Sequence, residues 1–73
     1  SKNQPVSEFY YFSPSAGGIV APLTFDNVKK AFPENHKFHD LLDAEFNSNR
    51  ELTQYDSHHK IFKINRLYAN SLQ

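Results

Sequence analysis

A chain of 73 residues with 38% hydrophobic and 15% aromatic side chains fills one small core and little more, because at this length burial and ordering entropy nearly cancel. Eight Lys and Arg against eight Asp and Glu leave no net charge, which argues against a dedicated nucleic-acid binder. Without cysteine there are no disulfides, zinc ribbons or thiol nucleophiles, and the longest apolar run, Gly17 to Leu23, is far short of the roughly 20 residues that span a bilayer.

Residues 1–7, SKNQPVS, read as a lead-in. The chain starts at Ser1 and contains no Met, so it is read as processed or cut from something longer, and the lack of a leader carries no weight. EFYYFS follows, aromatic and β-prone, and is bounded by Pro14 and the turn-forming Ser15-Ala16-Gly17-Gly18. GIVAPL on the far side of that turn predicts the second strand of a hairpin. Pro22 cannot donate to a ladder, so it belongs at the end or on an edge of that strand. Alternation places Phe9 and Tyr11 on one face and Tyr10 and Phe12 on the other. Both faces are apolar and a lone hairpin is marginal in water, so the rest of the chain must cover it.

The helical half opens at Thr24, a good N-cap, with Asp26 at the positive end of the helix dipole. Phe25, Val28 and Phe32 recur at helical spacing until Pro33 stops the helix. Asn35 caps the next one, where Phe38, Leu41, Leu42 and Phe46 form a buried stripe that ends at Asn47-Ser48-Asn49. In YDSHHKIFKINRLYANSL, a helix capped by Asp56 or Ser57 aligns Ile61, Ile64, Tyr68 and Leu72. A strand reading of KIFKI alternates less cleanly, and the helix is preferred. The expected fold is α+β: an N-terminal β-hairpin (8–23) followed by three helices (24–72), packed as one small domain over residues 1–73.

Several side chains are candidates for chemistry. His36, His39, Asp40 and Asp43 have metal-like spacing, but they fall opposite the apolar stripe or at its flank and offer at most three ligands from one helix. A solvated helix face is the expectation, with no metal and no cofactor. Adjacent residues diverge by about 100° on a helix, so His58 and His59 do not act together. Ser57, His58 and Asp56 are consecutive and cannot present nucleophile, base and orienting acid in line. Ala16-Gly17-Gly18 lacks the Lys-Ser/Thr of a phosphate loop. A non-enzyme is expected.

Two surfaces remain. Lys60, Lys63 and Arg66, with Asn65 among them, form a basic face on the last helix that suits phosphates and a base edge. This supports a small nucleic-acid-associated or regulatory protein as the alternative function. Phe62 and Leu67 flank the stripe of that helix. They either widen the core or, with Tyr10 and Phe12 of the hairpin, form a partner-binding or self-association patch. An aromatic hairpin edge also accepts an added strand. Glu45 falls inside the stripe of the second helix, where a charge needs a partner. Either it pairs with a cation of the last helix, or its helix ends early and it is solvated.

The succession EFYYFSPSAGGIVAPL, LTFDNVKKAFPENHKF and YDSHHKIFKINRLYANSL resembles the small C-terminal region of uncharacterised exported proteins from Bacteroidetes-type bacteria. The resemblance covers most of the chain and rests on pattern and on short words such as KKAFP, not on a site motif. It implies a hairpin-plus-helices module that is exported, with no assigned activity and no functional residues to carry over. The principal expectation is a non-catalytic binding or assembly module within a longer protein.

Overall fold

The N-terminal aromatic run pairs with the Ala-Pro run as expected. In the structure, a computed structural model that describes residues 10–14 and 17–73, β1 (Tyr11–Phe12) and β2 (Ala21–Pro22) form an antiparallel hairpin with Tyr11 opposite Pro22 and Phe12 opposite Ala21. The Leu23 N–H donates to the Tyr10 carbonyl at 2.8 Å, so Tyr10 and Leu23 are a hydrogen-bonded pair and the next pair, Tyr11 and Pro22, is not. Pro22 therefore sits where the ladder asks for no donor. Gly17 takes the left-handed φ of +77° in the connecting loop, a conformation that costs glycine little. The expected lead-in, the position of Phe9 and the Ser15-Ala16 part of the turn lie outside the described residues.

Two well-capped helices follow. Thr24 Oγ1 accepts the Asn27 N–H at 3.1 Å and opens α1 (Phe25–Ala31). Asn49 Oδ1, 24 residues away, accepts the Phe25 N–H at 2.9 Å, satisfying a second donor of the first turn. Asn35 Oδ1 accepts the Phe38 N–H at 3.0 Å to open α2 (His36–Glu45), and its amide donates to Ser71 Oγ at 2.9 Å. One side chain thus caps one helix and ties it to another. A cap of this kind is worth about 1 kcal/mol.

A short 3-10 turn over Asn49–Thr53 then buries Leu52 completely. The remaining elements are β3 (Tyr55–Asp56), β4 (Ile61–Phe62) and α3 (Lys63–Ser71). The single helix expected over residues 57–72 is therefore a second hairpin joined directly to a shorter helix. Asp56 is the physical reason. Its Oδ1 accepts the N–H groups of His58 and His59 at 3.0 and 3.1 Å, which closes a turn that competes with helix formation. Lys60 leaves that turn at a left-handed φ of 57°, a conformation that costs a non-glycine residue roughly 1–2 kcal/mol. The Lys63 N–H reaches the Gln54 carbonyl at 3.0 Å, and the Tyr55 and Phe62 rings meet edge-on at 5.2 Å.

The core comprises Val28, Phe38, Leu42, Phe46, Leu52 and Leu67. α2 packs chiefly against α3, and Phe38 sets its ring edge-on to Phe32 at 5.6 Å and to Tyr68 at 5.3 Å. The buried stripe of α3 is Ile64, Leu67 and Tyr68, ending on Ser71, while Leu72 lies past the helix end and is exposed. The later helix start moves the inward face, so Leu67 joins the core and Ile61 leaves the helix altogether.

Glu45 is the last residue of α2 and is exposed; among the described residues it makes no ion pair. Of the two alternatives, the second holds: α2 ends at Glu45, whose side chain is solvated rather than paired with a cation of the last helix. Lys29 instead bridges both oxygens of Asp43 at 2.8 and 3.0 Å, tying α1 to α2. Such exposed pairs contribute about 0–1 kcal/mol.

Candidate binding groove

Three of the four residues expected to form a partner patch converge. Tyr10 and Phe12 from the first hairpin and Phe62 from the second line one groove of about 390 Å³, at the lower end of the roughly 300–1,000 Å³ of ligand pockets. Its floor is the core itself, through Val28, Phe38 and Leu52. Ile64, Asn65 and Tyr68 of α3 supply one side, and Tyr11, Ser13 and Pro14 extend the other. Tyr10, Tyr11 and Phe62 are each about half exposed. Among the described residues, the lining holds no Asp, Glu, His, Lys or Arg.

Leu67 is not part of this groove. It is 5% exposed and belongs to the core, which corrects its placement on a partner patch: a helix that starts at Lys63 turns position 67 inward. Tyr11 and Pro14 are lining residues that the sequence did not single out, and Asn65, singled out only for the basic face, lines the groove as well. For Tyr11 the signal was present, since it neighbours Tyr10 and Phe12. Asn65 carried no such signal beyond its place among the cations.

The basic face does not assemble as expected. Lys60 lies in the β3–β4 turn, and only Lys63 and Arg66 belong to α3. Arg66 Nη1 lies 3.6 Å from Asp56 Oδ2, so part of its charge is met within the fold. The helix starts at Lys63 rather than near position 57, so Lys60 is not on it, while Lys63 and Arg66 remain one turn apart.

The histidines have structural partners. His39 Nε2 lies 2.8 Å from the Phe32 carbonyl, so the imidazole donates there and satisfies the end of α1. His36 and Asp40 are exposed on the outer side of α2, and no group of three or more His, Cys, Asp or Glu among the described residues is arranged to hold a metal ion. His59 Nδ1 lies 2.7 Å from Asp56 Oδ2. A carboxylate accepts, so the ring donates.

The hydrogen bonds from the His59 backbone N–H and then from its ring, opposed by partial burial and aided by the charges of His59 and Arg66, lower the Asp56 carboxyl from 3.8 to about 2. A carboxyl depressed on folding stabilises the fold above its unfolded value, and the contribution disappears as pH falls through the folded value. The urea midpoint of the wild type therefore drops between about pH 4 and pH 2 by more than that of Asp56→Asn, which keeps the turn's acceptor but has no charge. Parallel curves from urea titrations in that window would show that Asp56 contributes nothing.

No family model, curated protein or solved structure matches the chain. No helix among the described residues is long and apolar enough to cross a membrane. The class defined by fold and site is a small cysteine-free α+β domain with an aromatic groove between two hairpins.

Proposed function

We propose that this chain is a non-catalytic binding or assembly module of a longer, exported protein, and that its partner, or a second copy, seats an uncharged apolar segment in the groove. The observation that carries the reading is the convergence of Tyr10, Phe12 and Phe62, from two hairpins far apart in the chain, on one concave and partly exposed aromatic surface. Its described lining is mostly aromatic and aliphatic, with no Asp, Glu, His, Lys or Arg, which supports a binding role. Export is supported by the pattern resemblance alone.

Phe62 adds a local argument. It occupies the N-cap of α3 and makes no side-chain capping bond, although Ser, Thr, Asp or Asn would be stabilising there. A residue that breaks a local rule while half exposed marks function more than stability.

The test follows the groove by ¹⁵N-labelled NMR spectra during titration with neutral apolar peptides and with rising concentrations of the chain itself. At least one of these shifts resonances of Tyr11, Phe62 and Asn65, and Phe62→Ser abolishes the shifts while keeping the dispersed spectrum of a folded domain. If neither the peptides nor self-titration moves a groove resonance, the reading is wrong.

A further inference from the structure

We infer that the β3–β4 hairpin is one of two states of the same segment, and that in the other α3 extends back to Ser57, capped by Asp56. The first observation is what Asp56 bonds. Its Oδ1 accepts the N–H groups of His58 and His59 at 3.0 and 3.1 Å. These lie two and three residues on, and they are the donors an N-cap carboxylate takes when a helix begins at the next residue. Its Oδ2 meets the His59 ring at 2.7 Å, within the same turn. The bonds that close the hairpin turn thus also serve a helix nucleus, whose formation is the costly step of helix growth.

The second observation is how little separates that turn from α3. Lys60 is the one non-glycine residue at positive φ among the described residues, β4 is two residues long, and α3 starts at Lys63 from a Phe62 N-cap that makes no side-chain bond. Returning Lys60 to the right-handed region joins turn to helix and gives the first-turn N–H groups of α3 the carbonyls of residues 59–61. Ile61 stands three residues before Ile64 and seven before Tyr68, so the extension prolongs the inward stripe. Only the hairpin has the Tyr55–Phe62 ring contact, the bond from the Lys63 N–H to the Gln54 carbonyl and the approach of Arg66 to Asp56. On a continuous helix Asp56 and Arg66 would stand about 15 Å apart. Both rings are about half exposed, and so short a ladder is marginal in water, so a few weak contacts set the balance in favour of the hairpin. Phe62 changes element between the states, and the groove side it forms belongs to the hairpin state. The inference does not depend on what the groove holds.

The experiment reads ¹³Cα shifts along the ¹³C,¹⁵N-labelled 73-residue chain in Phe62→Ala and in Tyr55→Ala, which remove the same ring contact from opposite strands. In both variants residues 57–62 are expected to move from turn and strand values to helical ones, while the shifts of α2 stay in place. Lys60→Gly, added to either variant, lowers the ratio of helix to hairpin about tenfold or more, because glycine suits the left-handed position and weakens a helix. If residues 57–62 keep their extended values, or fall to coil values, in a variant whose α2 shifts are unchanged, the inference is overturned and the groove reading stands. A ratio that Lys60→Gly leaves unchanged overturns it equally.

Discussion

Phe38→Ala lowers the unfolding free energy by about 3–5 kcal/mol, the usual cost of removing a buried aromatic side chain. Phe38 is 2% exposed, touches the Phe32 and Tyr68 rings edge-on, and forms part of the groove floor. Domains hold about 0.05–0.15 kcal/mol per residue, so a chain this short has roughly 4–11 kcal/mol in all. The substitution therefore removes between about a quarter and all of it. Urea unfolding followed by far-UV circular dichroism measures the loss, with Phe38→Leu as a milder control that keeps an apolar side chain at the site but loses both ring contacts. A shift in the Ala variant no larger than in the Leu control would mean that Phe38 does not anchor the core.

Leu67 and Phe62 part ways in a second experiment, although their sequence positions suggest one shared surface. Leu67→Ala costs about 2–5 kcal/mol, because Leu67 is 5% exposed and lies in the stripe by which α3 packs on the core. Phe62→Ser costs about 1 kcal/mol or less. It loses the edge-on contact with Tyr55, worth about 0.5–1.5 kcal/mol, and gains a serine at an N-cap that has no capping bond. Thermal melts of the two variants settle the matter. Equal losses would place Phe62 in the core and remove the principal support for a binding role, whereas the expected contrast leaves Phe62 available for a partner.

The first two helices were readable because their signals are local. Thr24 and Asn35 are strong caps placed just before apolar residues at helical spacing, and Pro33 separates the two runs. Each of these features acts within a few residues of itself. The first hairpin was readable for the same reason, from an aromatic run, a glycine turn and Pro22 at a strand end. Residues 55–71 were not. Ile61 and Ile64 fit a helix as well as they fit a strand end, and periodicity alone does not separate the two. The turn bonds of Asp56 and the Tyr55–Phe62 ring contact favour the hairpin, and with it the inward turn of Leu67 and the dispersal of Lys60, Lys63 and Arg66.

The sequence by itself determined the class of fold, the two capped helices, the first hairpin and three of the aromatic residues that line the groove. Tertiary structure alone decided that those aromatics meet, that Leu67 is core, and that Asn65 stands beside them. Capping, turn chemistry and spacing operate between near neighbours in the chain and leave a mark in composition. A groove is made by packing two hairpins and a helix over a common floor, and which exposed side chains then adjoin depends on helix starts and rotations that no short stretch of sequence encodes.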